Sequence, residues 1–355
     1  MAGREILYHR LIPIISFLIG IIIPLVVLIP LLLSHHHCSL TGRLPNEIMK
    51  INEHGPFVGL VVSNSVDLSL LLQSSSFKKL HDVTHLDFGG RRFHIGQIGK
   101  QNVTVVAAGR GMLNTGVTTK LLTSLFKIKG VINCGLGGSV SHRLRIGDVV
   151  VPYHWAHTGN WNWQRYGDGP QKSSNQSSGK YCERPQYLHF AAFNKPSSAN
   201  NLLNNVWFEA EDVFPKIEKH KPDKQVFWIP AHHHYISISG KLKGLELEKC
   251  LRSNMCLPKA PQVRLVNRGS SSNIFINNTA YANFLYSRFH ASVVDKETAA
   301  VSLVCLEEDL PFIAFRAVSN LAGAESSTNN EASTFAPLAA KNAVMFVLKF
   351  LTLLK

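Results

Sequence analysis

Between Val293 and Gly323 the apolar positions change period. Ala299, Leu303, Leu306 and Leu310 recur at i, i+4, i+7 and i+11, the spacing of a helix with one buried stripe. Pro311 ends that helix, because its ring cannot continue the hydrogen-bond ladder. Phe312–Val318 is then apolar except for Arg316, as expected of a strand covered on both faces. In open α/β sheets ligands bind just beyond the carboxyl ends of strands. Arg316, Ser319 and Asn320 therefore stand where chemistry would be placed.

The same alternation runs through the first half of the chain. Phe57–Val62 reads as a buried strand, with Asn64, Ser65 and Asp67 at its carboxyl end and a helix over Leu68–Leu72. Phe93–Ile98 and Val103–Ala108 read as strands paired about Gly99–Asn102, and Met112–Phe126 as a helix. Gly130–Val151 predicts a strand, a glycine-rich turn, a short excursion and a second strand. This order is that of an α/β sheet. Tyr153–Pro261 breaks it, with Trp155, Trp161 and Trp163, a Ser/Asn/Gln-rich run over Lys172–Lys180, and strand-like Val226–Ile229 and Tyr235–Ser239. It reads as a long insertion (153–261) over the ligand face, in the manner of a lid. Val263–Val266 resumes the core, Ile274–Arg288 leads into a helix, and Ala332–Leu354 is an amphipathic helix whose interspersed lysines favour packing over membrane insertion.

The N-terminus has a different pattern. Leu11–Leu33 is almost unbroken apolar sequence behind Arg4, His9 and Arg10. It exceeds a secretory h-region of about 7–15 residues and suffices for the ~20 of a membrane span. An uncleaved signal anchor, single-pass with a lumenal domain, and a long cleaved signal peptide both stand. Either places the folded region, 44–355, in the secretory pathway, in a vacuolar or extracellular lumen, with 1–43 as stub, hydrophobic segment and connector. Cys250 and Cys256 suit a small disulfide loop, while Cys134 and Cys305 lie in apolar elements as packed thiols. Of the sequons at Asn102, Asn175 and Asn277, only Asn175 lies away from core elements, which makes it the best glycosylation site.

Charge narrows the partners. The net +14 comes from scattered residues and pairs such as Lys78-Lys79 and Arg91-Arg92, with no run of five cations, so it describes a solvated basic surface and no nucleic-acid partner. Gly135, Gly137 and Gly138 do not have dinucleotide-binding spacing, but they permit close approach of backbone to a ligand. The runs His35–His37 and His232–His234 lack partners at metal-ligand spacing. No cofactor or metal is expected. The remaining polar cluster, Asp67, Glu297, Arg316, Ser319 and Asn320, follows different core elements and forms a candidate pocket.

GVINCGLGGSVSHRLRIGDVVVP and VVDKETAAVSLVCLEEDLPFIAFRAVSNLAG resemble the two signature regions of the purine nucleoside phosphorylase/uridine phosphorylase superfamily, and within it the methylthioadenosine/adenosylhomocysteine nucleosidase branch. WAHTGNWNWQRYGDGP and the Cys250–Cys256 spacing are similar to plant bark storage and vegetative storage proteins. The resemblance spans residues 44–355. It implies a three-layer α/β/α phosphorylase/hydrolase-like fold with a central mixed sheet, a homo-oligomer, and N-glycosidic cleavage of purine nucleosides. In its terms Asp67 activates water, Glu297 binds the ribose hydroxyls, Phe275 stacks on the base and Ile276 reads it through its backbone. Arg316 and Ser319 line the site with Gly137 and Gly138, and Asn320 stands where the nucleosidases carry the aspartic acid that protonates N7.

Two departures fall on those positions. The amide of Asn320 can donate a hydrogen bond but cannot transfer a proton as a carboxylic acid does. Lys296 replaces the family's Met, setting a cation beside Glu297 where it would compete for the carboxylate. Asp67 is also one methylene shorter than the family's Glu, and SNSVDLS lacks the phosphorylase arginine, so water is the expected nucleophile. Cleavage is therefore expected to be weak or lost. The alternatives are a non-catalytic storage protein kept as a nitrogen reserve, or a nucleoside-binding protein that retains Phe275 stacking.

Overall fold

Six uninterrupted apolar residues, Phe57–Val62, form strand β1, buried along its whole length. In the computed structural model, residues 44–80, 83–163, 187–189, 205–216, 224–323 and 326–355 are described. The chain divides into two compact units, Met1–Glu53 and His54–Lys355. In the first, residues 44–53 are helical.

The second unit is built on an eleven-stranded mixed sheet. After β1 come β2 (Phe77–Lys79), β3 (His85–Phe88), β4 (Arg91–Ile98), β5 (Gln101–Ala107), β6 (Ile128–Ser139) and β7 (Val149–His157). The remainder are β8 (Ile229–Pro230), β9 (Val263–Ser271), β10 (Ala291–Asp295) and β11 (Phe312–Leu321). β1 lies parallel between β5 and β6, while β4 returns antiparallel along β5. β11 runs parallel to β6 and antiparallel to β7. β7 pairs with β9, β9 with β10, and β10 with β6. The strands β6, β11, β7, β9 and β10 thus close on themselves, so half of the sheet is a small barrel and half is open.

Helices cover both faces. Val58, Leu60 and Val62 of β1 share a core with Leu71 of α1 (Ser65–Leu72), Tyr235 and Ile238 of α3 (His233–Lys241), and Phe346 and Phe350 of α6 (Ser326–Leu353). On the other face Gly59 lies under Leu122 of α2 (Met112–Leu125), which packs beside α5 (Thr298–Glu307). The stretch Thr334–Leu353 is long and apolar enough to cross a membrane, yet it buries Leu338, Ala339, Phe346 and Phe350 in this core. The result is the expected α/β/α arrangement with a central mixed sheet.

Several local expectations are corrected. The glycines at 135–138 do not turn; they lie within β6, which continues to Ser139 because β11 pairs along them. A side chain at Gly137 would meet Val293 Cγ2 at 2.8 Å, so the crowded barrel, not a turn, requires glycine there. Tyr235–Ser239 is helical, with Tyr235, Ile238 and Ser239 buried on one side. β7 continues past Tyr153 to His157, and the chain returns to it through β8. Between these, the strands Trp161–Trp163, Tyr187–His189 and Asn205–Phe208 make a small antiparallel sheet. Its Val206 and Phe208 pack on Leu285 and Phe289 of α4 (Thr279–Phe289). Cys250 and Cys256 are disulfide-bonded, and Cys134 and Cys305 are buried free thiols. Asn102 uses its side-chain amide to donate to the His54 carbonyl at 2.7 Å. Leu11–Leu33, Lys172–Lys180 and Asn175 lie outside the described residues.

The closed part of the sheet leaves little room for added atoms. Gly269 of β9 pairs with the fully buried Trp155, and a Cβ there would approach its ring to 2.7 Å. Gly269→Ala is therefore expected to lose about 1–3 kcal/mol of stability in urea melts. An unchanged midpoint would mean the barrel yields more readily than its packing implies.

Candidate functional site

A cleft of about 300 Å³ opens at the carboxyl ends of β1, β6, β10 and β11, bounded by the loop after β9. Its floor is set by a buried polar knot. Arg316 of β11 donates from Nε to Asp295 Oδ2 of β10 at 2.5 Å, and both side chains are wholly buried. Asp295 Oδ1 accepts from Ser271 Oγ of β9 at 2.5 Å and from the backbone N–H groups of Glu297 and Thr298. The Thr298 hydroxyl donates to Asp295 Oδ2, and the Arg316 guanidinium also reaches Asn133 Oδ1 of β6. Four of the five barrel strands are thereby tied together, and α5 is started in place.

Glu297 follows directly. Its carboxylate enters the cleft, accepting from the Gly111 N–H at 3.2 Å and the Lys296 N–H at 3.2 Å. Gly111, at φ 92°, opens α2 without a side-chain cap of its own. Asn273 Oδ1 supplies one instead, accepting from the Met112 N–H at 2.9 Å. Burial raises the Glu297 pKa, and Asp295 raises it further, against the pull of Arg316. With one bond on each oxygen, the carboxylate keeps acceptor capacity for hydroxyl groups in the cleft.

Ser319 and Asn320 also line the cleft. The β6–β11 register shifts between Val318 and Asn320, a bulge at the strand's carboxyl end. Bulges re-aim side chains. Ser319 Oγ donates to Asn320 Oδ1 at 3.1 Å, and the Asn320 amide lies over Gly138. Phe275 forms the lip at 65% exposure, whereas Ile276 is buried and its carbonyl accepts the Gly323 N–H at 3.2 Å.

The structure thus brings Gly137, Gly138, Phe275, Ile276, Glu297, Ser319 and Asn320 to one cleft. Two expected members are not on its lining. Arg316 is sealed beneath the floor, where Asp295 and Asn133 engage it, so it positions the site and does not face it. Asp67 is buried in the first turn of α1, accepting from Asn64 Nδ2 at 2.9 Å through Oδ2 while Oδ1 has no partner. Burial pushes its pKa up to about 6, with Arg316 pulling the other way. Lys296 lines the cleft but forms no ion pair with Glu297; only its backbone N–H touches that carboxylate. The expected competition between the two side chains is absent. None of the described residues of 153–261 lines the cleft, and residues 164–186, 190–204 and 217–223 of that stretch lie outside the described residues. The reading of the sequence passed over Asp295, Asn133 and Arg110. A lone Asp closing the apolar VVD and a lone Asn inside VINC were the available signals.

An α/β protein with a partly closed mixed sheet and a small-molecule cleft at its strand ends is the class this geometry defines. The chain belongs to the phosphorylase superfamily, whose family model matches residues 57–203 and 270–352. It is 33% identical to bark storage protein A of Populus deltoides over 296 residues, covering 83% of this chain and 88% of that one. It is 22% identical to 5'-methylthioadenosine/S-adenosylhomocysteine nucleosidase of Listeria monocytogenes over 295 residues, covering 83% and 98%. Its fold matches the Streptococcus pneumoniae nucleosidase solved with the transition-state inhibitor MT-ImmA, at a TM-score of 0.57, 17% identity and coverage of 84% and 100%.

Two substitutions probe the knot and its neighbour. Asp295→Ala leaves the Arg316 charge buried without its partner and is expected to lose about 3–5 kcal/mol in chemical denaturation. A loss below 1 kcal/mol would mean the knot does not hold the barrel. Asp67 has a folded pKa above its unfolded value of 3.8, so the native state holds a proton that the unfolded chain releases. Its contribution falls as pH rises from about 4 to 6 and is level above that. Asp67→Asn is expected to match the parent near pH 3.5 and to be more stable on the order of 3 kcal/mol at pH 8. Parallel pH–stability curves for the two chains would contradict this.

Proposed function

We propose that the cleft binds a purine nucleoside and that N-glycosidic cleavage there is weak or lost. The observation that carries this is an amide, Asn320, lining the same cleft as Glu297, in a cleft otherwise furnished for a nucleoside. The Phe275 ring at the lip offers a stacking face for a base. The Glu297 carboxylate, its geometry fixed by two backbone donors, suits the paired hydroxyls of a ribose. Cleavage additionally needs a proton delivered to the departing base. Asn320 can hold the base through Nδ2, since its Oδ1 is taken by Ser319, but it has no proton to give. Asp67, the remaining carboxyl group of the expected set, is buried beneath the cleft wall and absent from its lining. The relatives named as nucleosidases, and the neighbour solved with a nucleosidase transition-state inhibitor, support the ligand class.

A second reading, a nitrogen reserve without catalysis, is favoured by the 33% identity to bark storage protein A. In either case we propose a secretory-pathway location, supported by the apolar run Leu11–Leu33 as an anchor or a cleaved leader, and a homo-oligomeric assembly, which rests on the family resemblance.

The experiment is base release from methylthioadenosine, adenosine and inosine, with and without phosphate, alongside calorimetry. Binding of at least one nucleoside is expected, with turnover at least 10²-fold below an ordinary enzyme's ~10 per second. Asn320→Asp, alone and with Lys296→Met, should raise the rate by about 10²–10⁴. Ordinary turnover by the unaltered chain would overturn the proposal, and absence of nucleoside binding would leave the storage reading.

A further inference from the structure

A second cavity, of about 560 Å³, lies beside the amino-terminal part of β9 and the end of α4. It shares no lining residue with the nucleoside cleft. Arg143, Arg264 and His290 supply cationic or titratable groups, and Ser141, Ser287 and Ser292 supply hydroxyls. No carboxylate is among its lining residues.

The two guanidinium groups are uncommitted. The Arg264 side chain makes no hydrogen bond or ion pair among the described residues, and its Nε is buried without an acceptor. Among the described residues the Arg143 side chain has no hydrogen-bond or ion-pair partner, and its backbone N–H donates to Ser141 Oγ at 3.3 Å. Asp148, the acid close enough to feel the Arg264 charge, spends its oxygens on the backbone N–H groups of Gln262 and Arg145 at 2.8 and 3.0 Å. The carboxyl end of α4 could have opposed an anion. Arg268 offsets it by donating to the Phe289 carbonyl at 3.1 Å. Two guanidinium groups lining one cavity with no carboxylate on its walls are an unfavourable arrangement that a bound anion would relieve.

We propose that this cavity binds a phosphomonoester. Two guanidinium forks and the hydroxyls of Ser141 and Ser292 offer more donors than a carboxylate has acceptor positions, whereas the three terminal oxygens of a phosphomonoester dianion can engage both forks at once; the Ser287 hydroxyl donates to the Phe284 carbonyl at 3.3 Å. The cavity is larger than one oxyanion requires, so the phosphate is the head group of a small organic molecule. The site is separate from the nucleoside cleft and does not depend on what that cleft binds.

The test is calorimetric titration of the full-length protein with ribose 5-phosphate and with inorganic phosphate, at ionic strength matched with chloride. Ribose 5-phosphate is expected to bind at least tenfold more tightly than inorganic phosphate. Arg264→Gln and Arg143→Ala should each weaken it tenfold or more. Arg264→Lys keeps the charge without the fork and should give an intermediate loss, and circular dichroism would establish that each variant folds. Phe275→Ala, in the other cleft, should leave phosphate binding unchanged. Equal affinity for the two probes would overturn the organic-ligand assignment. No saturable phosphate binding, or a loss in Phe275→Ala with none in the arginine variants, would overturn the site itself.

Discussion

The ion pair between Asp295 and Arg316 is the constraint on which the remainder rests. Placing two charges out of water is unfavourable by several kcal/mol for each ion, and only close geometry with further hydrogen bonds recovers it. Here Asp295 receives the guanidinium, two hydroxyls and two backbone N–H groups. Arg316 also reaches Asn133 Oδ1 and the Phe315 carbonyl. These partners come from β6, β9, β10, β11 and α5, so satisfying the pair requires those elements to meet. A barrel slipped in register would leave a charge or a donor unpaired, a larger penalty than most packing errors. The same knot fixes where the chain leaves β10, and hence where the next side chain but one, Glu297, enters the cleft.

This division of labour explains what the sequence made legible. β1 could be read because it is a short, almost wholly apolar run, and the β4–β5 pair because apolar residues recur along two short segments joined at Gly99. Arg316 and Asp67 could be placed near strand ends, but not on a particular side of the sheet. A charged residue in an apolar run looks the same whether it faces a ligand or a buried carboxylate. The glycines of β6 resembled a turn because closure of the barrel, which forbids side chains there, is a tertiary fact with no local signal. Tyr235–Ser239 alternates polar and apolar residues like a strand. Its burial instead follows i, i+3 and i+4, a distinction five residues are too few to make.

Lys296 is a further case in which position and contact differ. Sequence adjacency put its charge beside Glu297, yet the residue meets that carboxylate only through its backbone N–H. Any residue with a peptide N–H could make that bond, so it does not depend on the side chain at position 296. What Lys296 alters is the charge of the cleft, to which Arg110 also contributes. The stronger argument against catalysis therefore rests on Asn320, where the chemistry itself changes.

Binding and turnover can part company in this architecture because they rely on different residues. Ground-state contacts to a base and a ribose would come from Phe275, Glu297 and the backbone of β6, all fixed by the knot and the barrel. Acceleration requires an interaction stronger in the transition state than in the ground state, and proton donation to the leaving base is of that kind. Asn320 sits at a bulge beyond the last strand contact of the Asp295–Arg316 network, and its hydrogen bond goes to its neighbour Ser319. Exchanging carboxyl for amide there removes no partner from the buried pair and alters no barrel register. The buried pair and the barrel register do not depend on whether that position carries a carboxyl or an amide, which is why an intact scaffold is weak evidence for an intact reaction.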